Sequence, residues 1–350
     1  MARFRHEIET PALVLDLDLF ESNLARMAAH CRAHGKALRP HAKAHKCVEV
    51  ARRQIAAGAA GVCVATVDEA SWMARAGVPG ILLTSPLASM GKMRRLVSLG
   101  AGITVTVDHP AQLEMWSQAA SEAGVTLPVL IDLDVGDHRT GIACGAPAIG
   151  LARQVRGPLA LRGLQAYSVS GSHTETFEAR KAHSLSVLAP AIETWHALKR
   201  EGFAMDVLSG GSTGTWNIDS GIPELTELQA GSYVFHDMAY ARIGVDFQPA
   251  LRIASTVISA NVAGRVTIDA GFKALSADRP FPPAPYNRPG LRYQFAGDEF
   301  GFLLAEGGEL PKLGEQVEML PPHIDPTVNL YTRIHACRGE RVEEIWEMKQ

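Results

Sequence analysis

The chain has 350 residues, of which 47% are hydrophobic and 20% are charged, a composition typical of a folded globular protein with a large core. Its net charge of −3 provides no basic surface for nucleic acid and no polybasic patch for a membrane. No apolar run approaches the roughly 20 residues needed to span a bilayer, and the N-terminus lacks the apolar segment of a signal peptide. The five cysteines form no CxxC pair, so we expect reduced thiols in a cytoplasmic protein.

The pattern begins with an alternating strand over Pro11–Leu17 and a helix that starts near Asp18 or Ser22. Leu38–Lys46 then indicates a short strand that ends in a lysine, followed by a helix over about Cys47–Ala57. Short, continuously apolar strands alternate with helices from there on, as in a parallel sheet. These strands are Gly61–Thr66, Gly80–Thr84, Gly102–Val107, Pro128–Leu133, Leu161–Tyr167, Asp206–Ser209 and Glu227–Phe235. The helices between them are Asp68–Ala76, Met90–Ser98, Pro110–Ala123, Ala146–Val155 and Thr174–Arg200.

The strand that leads to Lys43 is the first of eight strands by about residue 235. Eight strand–helix units over about 200 residues predict a (β/α)8 TIM barrel. The alternative is an open, doubly wound sheet. The chain has no GxGxxG after the first strand, which favours the barrel.

Helical periodicity largely disappears after about Gly244. Five strands separated by a Pro-rich loop over Arg279–Pro285 predict a mostly β domain, and they are Leu251–Val257, Arg265–Asp269, Leu291–Phe295, Gln316–Met319 and Tyr331–Cys337. The sequence therefore predicts an α/β barrel over residues 18–245 and a C-terminal mostly β domain over residues 246–350. We expect the early strand, within residues 1–17, to join the second domain.

Lys43 is predicted to point into the mouth of the barrel, where a lowered pKa allows a lysine to form a Schiff base. The alternative is a solvated basic loop. The seventh strand runs into the glycine-rich loop Ser209–Thr215, and the eighth carries Gly231–Tyr233. Barrels often bind phosphate after these two strands, although most Gly/Ser/Thr loops are plain turns. A phosphate-bearing cofactor that reacts with a lysine suggests pyridoxal 5′-phosphate (PLP).

Arg139, Tyr167 and His173 follow the fifth and sixth strands. Arg139 is a fixed donor for the cofactor's phenolate oxygen, or else a surface arginine paired with Asp134 or Asp137. Tyr167 could meet the pyridine ring. His173 could act as a base near neutral pH, or be an ordinary polar residue of a loop.

His323 and Asp325 stand at positions i and i+2 between prolines. On an extended segment both side chains point to one face. Such a pair supplies two ligands to a divalent metal and leaves positions open for water or substrate. The HxD pattern is common by chance, and the prolines stiffen the backbone around it.

Six segments, in this order, resemble the D-threonine aldolase/D-serine dehydratase family of alanine-racemase-like (fold type III) PLP enzymes. They cover the chain from near its start to near its end, and they are Arg39–Lys46, Asp134–Gly141, Gln165–Tyr167, Ser209–Thr215, Asp269–Asp278 and His323–Leu330. The resemblance implies a barrel of the alanine racemase N-terminal type.

The resemblance also implies roles for single residues. Lys43 would hold PLP covalently, Arg139 would contact its phenolic oxygen and Tyr167 its ring nitrogen. His323 and Asp325 would bind a divalent metal. Members of the family are typically homodimers with a shared active site. The phosphate would be bound by Ser209, Gly210, Gly211, Ser212, Thr213, Gly231, Ser232 and Tyr233.

Within this family a His-x-Cys pair is common in dehydratases and suits zinc, whereas a His-x-Asp pair is common in aldolases and suits manganese or magnesium. Asp325, together with His173 at the position of the aldolase base, therefore implies a lyase that cleaves D-3-hydroxy amino acids to glycine and an aldehyde. One alternative is a dehydratase that acts on D-serine or D-3-hydroxyaspartate. Two others are a non-catalytic PLP-binding protein, which typically lacks the second domain, and a scaffold barrel without cofactor.

Two aromatic residues depart from the family pattern. Phe272 stands where alanine racemases have a catalytic tyrosine, which counts against two-base racemisation. Phe300 replaces the family's histidine within Asp298–Gly301. The second change leaves the preferred substrate side chain open.

Overall fold

The computed structural model of the chain describes residues 2–100 and 102–349. Its strands, in chain order, are β1 (Ala12–Asp16), β2 (Ala37–Leu38), β3 (Val62–Val64), β4 (Ile81–Leu83), β5 (Ile103–Val107), β6 (Leu127–Asp134), β7 (Ile142–Ala143), β8 (Leu159–Ala166), β9 (Val207–Gly210), β10 (Glu227–Leu228), β11 (Leu251–Val262), β12 (Arg265–Ile268), β13 (Ala284–Pro285), β14 (Leu291–Phe295), β15 (Gly301–Ala305), β16 (Gln316–Leu320), β17 (Arg333–Arg338) and β18 (Arg341–Glu347).

The α-helices are α1 (Leu17–Ala33), α2 (Val48–Ala56), α3 (Val67–Arg75), α4 (Met90–Val97), α5 (Pro110–Ala123), α6 (Ala146–Ala152), α7 (Phe177–Arg200), α8 (Trp216–Asp219), α9 (Met238–Arg242) and α10 (Ile324–Val328). Three 3-10 helices are η1 (Arg5–Glu7), η2 (Ala42–Ala44) and η3 (Ser232–Val234). Among the described residues, none of these helices has the length and apolar character needed to traverse a lipid bilayer.

The described residues form two compact units. The barrel unit contains Met27–Lys43 and Val48–Gly231. The β unit contains the chain up to Arg26, the short segment Ala44–Cys47 and the chain from Ser232 onward. The domain boundaries at 18–245 and 246–350, with a strand within 1–17, stay a prediction, and their outermost residues Met1 and Gln350 lie outside the described residues.

Eight parallel strands form the sheet of the barrel unit, in the order β2-β10-β9-β8-β6-β5-β4-β3, with the short β7 beside β6. The two ends of this order are joined by hydrogen bonds from Ala60 N to Leu38 O (2.8 Å) and from Cys63 N to Pro40 O (2.9 Å). The predicted TIM-like (β/α)8 arrangement is therefore confirmed.

The barrel strands are short and apolar because both of their faces are covered. Every residue of β3 and β4 is buried. Their helices carry ordinary boundary signals: α5 begins with Pro110 and ends at Gly124, whose φ is 65°. Proline fits the first turn of a helix, and glycine adopts the left-handed conformation after the last turn.

The β unit has its own sheet, in the order β14-β15-β12-β11-β1-β17-β18, with β16 paired to β11 and β13. Strand β1 is central in it, antiparallel to β11 and parallel to β17. A strand near the N-terminus thus fills the position between two strands from the C-terminal part of the chain. The expectation of a mostly β C-terminal domain is confirmed.

The eighth strand of the barrel differs from the prediction. The sequence predicts a strand over Glu227–Phe235, but only Glu227–Leu228 is a strand and Ser232–Val234 is a 3-10 helix. The strand ends at Leu228, three residues before Gly231. Glycine is required at position 231, because a Cβ there would lie 2.5 Å from the carbonyl oxygen of His41.

Candidate active site

Lys43 lies in the 3-10 turn η2, not at the end of a strand. The predicted strand is wrong here because β2 stops at Leu38, and Pro40, two residues on, has no N–H for the ladder. The segment stays attached to β3 nevertheless, since Pro40 O accepts the N–H of Cys63 and His41 forms a bridge with Cys63. This attachment carries Lys43 to the end of the barrel where the strands finish.

A cavity of about 260 Å³ opens there, and its lining includes Lys43, Arg139 and Tyr167. The Nζ atom of Lys43 lies 6.0 Å from the centroid of the Tyr167 ring, and the Cζ atom of Arg139 lies 5.9 Å from the same centroid. The structure thus brings three of the predicted site residues together, with the cations of Lys43 and Arg139 near the ring of Tyr167.

The carboxylates that could compete for Arg139 have other partners. Asp134 accepts a hydrogen bond from His138 Nδ1 at 2.7 Å. Asp137 accepts the backbone N–H groups of Val169 and Ser170, and it thereby ties the loop that carries Arg139 to the loop that carries His173. These hydrogen bonds hold the two loops together, and Asp137 also interacts electrostatically with Arg139.

A buried polar network forms the floor of the cavity. Asp132 accepts hydrogen bonds from Gln165 Nε2 and Thr140 Oγ1, both at 2.8 Å, and Gln165 Oε1 accepts one from Gln229 Nε2 at 3.1 Å. Burial raises the pKa of Asp132 to about 6, although both hydrogen bonds act to lower it. Sequence reasoning gave no role to Asp132, Gln165 or Gln229. Their shared signal is a polar residue at the carboxyl end of an apolar strand.

The glycine-rich loop after β9 is buried and is held by hydrogen bonds. Ser209, Ser212 and Thr213 are each at most 3% exposed. The N–H of Ser212 donates to Thr215 Oγ1 at 3.1 Å, and the Thr215 hydroxyl donates to Asp219. Burial raises the pKa of Asp219 to about 6, against the hydrogen bonds that it accepts from hydroxyl groups.

The glycines of this loop allow backbone segments to approach each other. A Cβ on Gly210 would lie 2.3 Å from Ala166 O, and one on Gly214 would lie 1.8 Å from Ser172 O. Gly211 has a φ of +76°, a value that side chains rarely allow. The loop therefore packs closely on the ends of the neighbouring strand and of the loop that follows it.

The predicted Gly231-Ser232-Tyr233 element is shared between the two units. Gly231 belongs to the barrel unit, while Ser232 and Tyr233 begin η3 in the β unit. Tyr233 is 1% exposed, and its ring lies 5.6 Å from that of Phe247. Ser232 Oγ donates to Asp325 Oδ1 at 3.3 Å.

His173 lies in the loop between β8 and α7 and is half-buried. It is not among the residues that line the described cavity. Its neighbour Ser172 touches Gly214 through its carbonyl oxygen, which places this loop beside the glycine-rich loop. The role of His173 as a base stays a prediction.

His323 and Asp325 are not on an extended segment, so this part of the prediction is wrong. His323 has extended dihedral angles and caps α10, while Asp325 lies in the first turn of that helix. The cause is Pro326, because proline is readily accommodated in the first turn of a helix. His323 Nδ1 is hydrogen-bonded to Asp278 Oδ2 at 2.6 Å.

A further carboxylate lies at the start of the same helix. Asp237 is 2% exposed and accepts the N–H of Ile324 at 3.0 Å. Burial raises its pKa to about 6, while its two backbone hydrogen bonds and the charge of His323 oppose that shift. Within residues 2–100 and 102–349, no group of three or more His, Cys, Asp or Glu side chains has the spacing of a metal site.

Comparison with known proteins identifies two domains in the chain. The profile of the alanine racemase N-terminal domain matches residues 15–239, and that of the putative serine dehydratase domain matches residues 250–337. A D-threonine aldolase of Arthrobacter sp is 39% identical over 350 residues, which cover 97% of this chain and 92% of the relative. The chain belongs to the D-threonine aldolase/D-serine dehydratase family.

Two other members of this family are similar over nearly their whole length. A 3-hydroxy-D-aspartate aldolase of Paracoccus denitrificans (strain Pd 1222) is 34% identical and aligns with 97% of this chain and 91% of its own. The crystal structure of D-threonine aldolase from Filomicrobium marinum superposes with a TM-score of 0.96 at 36% identity, over 99% of this chain and 97% of that one. The predicted family is thereby confirmed.

The residues at the barrel mouth fit the PLP of this family. Lys43 supplies a primary amine, Arg139 a planar cation and Tyr167 an aromatic face, and all three line one cavity. The buried hydroxyl groups of Ser212 and Thr213 stand in a glycine-rich loop, a chemistry that binds phosphate.

His323 and Asp325 fit a divalent metal by the same reasoning. One imidazole and one carboxylate are ordinary ligands of manganese and magnesium, and water or substrate can complete the coordination. Asp278 bonds to one nitrogen of His323, as carboxylates do for metal-binding histidines.

Proposed function

We propose that this chain is a PLP- and divalent-metal-dependent lyase that cleaves D-3-hydroxy amino acids, D-threonine among them, to glycine and an aldehyde. The observation that carries the proposal is the meeting of Lys43 and Arg139 around Tyr167, in a chain similar to D-threonine aldolase over nearly its whole length. Asp325 as the second residue of the metal pair favours an aldolase.

Lys43 would hold the cofactor covalently, with Arg139 at its phenolic oxygen and Tyr167 at its ring. The loop Ser209–Thr213, together with Gly231–Tyr233, would hold the phosphate. When bound, PLP supplies an electron sink for the bond that breaks next to the amino group. The chain contributes orientation, because Lys43 and Arg139 both lie near the Tyr167 ring and hydrogen bonds to Asp132 hold the cavity floor.

His323 and Asp325 would hold the metal. The carboxylate makes this a harder site than a His–Cys pair, so we propose manganese or magnesium in preference to zinc. A divalent ion supplies a Lewis acid that lowers the pKa of a coordinated hydroxyl. Ser232 Oγ donates to Asp325, which fixes the direction of the carboxylate.

We assign to His173 the removal of the proton from the β-hydroxyl oxygen. An imidazole exchanges protons near neutral pH. The loop that presents His173 is held by Asp137, which accepts the N–H groups of Val169 and Ser170. A half-buried histidine on an anchored loop has few orientations available.

We also propose that the enzyme is a cytoplasmic homodimer with a shared active site. The support for a dimer is that exposed aromatic rings lie on the β unit: Phe272 is 47% exposed and Phe300 is 44% exposed. Phe272 also stacks on Phe295 with ring centroids 4.3 Å apart, and aromatic residues are enriched at subunit interfaces. The support for the cytoplasm is that all five cysteines are thiols, as in reducing compartments.

A dehydratase acting on D-serine or D-3-hydroxyaspartate is the second candidate. The match of residues 250–337 to the putative serine dehydratase domain favours it. Such an enzyme would remove the Cα proton, and Lys43 is the amine suited to that role. It would leave the Cα–Cβ bond intact.

A substrate panel tests the proposal. Purified protein with PLP and Mn2+ is incubated with D-threonine, L-threonine, D-3-hydroxyaspartate and D-serine, with and without a chelator. We expect glycine from the D-3-hydroxy amino acids that carry a β-substituent, none from L-threonine, and loss of turnover with the chelator. Unchanged amino acids throughout would overturn the proposal and favour a non-catalytic PLP-binding protein.

A further inference from the structure

We propose that Asp278 is the positioning residue of the metal site: its carboxylate fixes the ring orientation and tautomer of His323 so that Nε2 faces the metal. This inference rests on the proposed function, since it concerns the same metal pair. It assigns a role to the last residue of the Asp269–Asp278 segment.

The contact between the two side chains is short. Asp278 Oδ2 lies 2.6 Å from His323 Nδ1, a short distance that agrees with a hydrogen bond to an ionised acceptor. A carboxylate only accepts, so Nδ1 must carry the hydrogen. In the neutral imidazole the lone pair is then on Nε2, which is the form that binds a metal ion.

The opposite tautomer would block the site. A histidine side chain without a partner prefers the hydrogen on Nε2, where a metal would have to bind. The hydrogen bond from Nδ1 reverses that preference before any metal arrives. The folded protein has thus already selected the tautomer that binds metal. The free-energy difference between the two tautomers therefore does not weaken the affinity for metal.

The backbone of His323 is held by bonds of its own, although one of the residues that form them, Ser276, also bonds to the Asp278 carboxylate. The carbonyl oxygen of His323 accepts the hydroxyl of Thr327 at 2.7 Å and that of Ser276 at 3.2 Å. Ser276 N in turn donates to Thr327 Oγ1 at 3.2 Å. These bonds determine where the Cα atom lies, whereas Asp278 determines the rotation of the ring and its tautomer.

The Asp278 side chain is 42% exposed, so its removal leaves no cavity in the core. Arg279 Nε lies 3.7 Å from Asp278 Oδ2, a contact too long for a hydrogen bond and of little weight at an exposed position. We therefore expect Asp278→Ala to fold normally and to lose only its bonds to His323 and to the neighbouring Ser276.

The test measures the dissociation constant of Mn2+ from the PLP-loaded protein by calorimetry. Loss of a group that is hydrogen-bonded to a metal-binding histidine typically weakens metal binding about 10- to 100-fold. We expect a loss of this size for Asp278→Ala. Asp278→Asn keeps an acceptor oxygen without the charge, so this variant should lose less affinity for Mn2+. The matched control is Glu309→Ala, which removes the same charge from an exposed position of the β unit and should leave the constant unchanged.

Two further readouts separate positioning from damage to the fold. The visible absorption of bound PLP and the Tm should stay at their wild-type values in Asp278→Ala. Histidine 15N resonances of the metal-free protein, assigned with His323→Ala, should show hydrogen on Nδ1 in the wild type and on Nε2 in Asp278→Ala.

The outcomes distinguish this inference from the proposed metal site. If His323→Ala abolishes Mn2+ binding but Asp278→Ala retains wild-type affinity, the positioning role is overturned and the metal site stands. If His323→Ala binds Mn2+ as the wild type does, both are overturned.

Discussion

Lys43 shows how neighbours, more than residue type, determine the chemistry at the scale of single residues. A lone lysine is most often a solvated charge, yet this one is half-buried and lines a cavity with Arg139 and Tyr167. The tyrosine ring is the common neighbour of both cations. A negatively charged, planar cofactor would fit between these groups.

Replacement of Lys43 tests that arrangement directly. Lys43→Ala removes the amine while the rest of the cavity remains, so we expect loss of the visible absorption of covalently held PLP. Lys46→Ala is the matched control, because Lys46 belongs to the same basic run but its Nζ bonds to Asn329 in the β unit. A visible band of wild-type strength in Lys43→Ala would show that another residue holds the cofactor.

His173 is tested by a substitution of similar size. General acid–base groups contribute typically 10²- to 10⁴-fold to a rate, so His173→Gln should lower kcat by about 100-fold or more. The absorption of PLP and the affinity for Mn2+ should not change. His183→Gln serves as a control, because His183 lies in α7 and its Nε2 is hydrogen-bonded to Ser170 of the same loop. Equal losses in both variants would mean that the loop, not the imidazole, is responsible.

Much of the residue-scale picture could be predicted from sequence, and the failures have physical causes. Arg139 and Tyr167 follow strands β6 and β8, and Lys43 lies in the turn η2 after β2; the geometry of a barrel brings the segments after its strands together. Asp132 and Gln229 were missed because a polar residue after an apolar strand is common. Asp278 was missed because its contact with His323 spans 45 positions of the chain, a pairing that no local pattern carries.

At the scale of elements, the glycine-rich loop is held by close backbone packing. Gly214 faces the carbonyl oxygen of Ser172, and Asp219 accepts hydroxyl groups from Ser184 and Thr215. The sequence indicated a loop that binds an anion. The structure adds that the loop is positioned by contacts with its neighbours, which depend on the tertiary fold.

Gly214→Ala tests the packing of that loop. The added Cβ would lie 1.8 Å from Ser172 O, so the loops must separate, and overpacking of this kind costs about 1–3 kcal/mol. We expect a lower Tm and weaker binding of PLP. Gly150→Ala is the control, since Gly150 lies in α6 with nothing within 4 Å of its missing Cβ; there alanine should stabilise by about 0.5–1 kcal/mol.

The raised pKa of Asp219 predicts that the stability of the protein depends on pH. Burial raises its pKa to about 6, whereas an unfolded aspartate titrates near 3.9. The folded state therefore binds more protons than the unfolded state in this interval, and stability falls as the pH rises from about 4 through 6. Below that interval the neutral carboxyl of Asp219 makes its full contribution to the stability of the folded state. Above the interval this contribution is lost.

Thermal unfolding of Asp219→Asn and of the wild type at several pH values checks this sign. The amide cannot ionise, so the Tm of the variant relative to the wild type should increase between pH 4 and pH 7. Each kcal/mol corresponds to about 2–4 °C in a domain of this size. A constant difference across this range would show that Asp219 titrates alike in the folded and unfolded states.

At the scale of the whole molecule, the order of strands and helices was enough to predict a barrel and a β domain. The order of the elements did not determine at which residues single elements begin and end. The eighth strand was predicted too long because Gly231 and η3 follow tertiary contacts, and α10 was read as extended because a short helix with a proline in its first turn lacks a clear period. The assignment of reaction type depends on the whole site.

The ratio of glycine to ammonia formed from D-threonine tests the central claim most directly. The holoenzyme with Mn2+ is given D-threonine, and glycine, acetaldehyde, ammonia and 2-oxobutanoate are measured in the same sample. The account predicts glycine and acetaldehyde in equal amounts with little ammonia. Ammonia and 2-oxobutanoate in equal amounts, without glycine, would contradict it and identify the protein as a dehydratase.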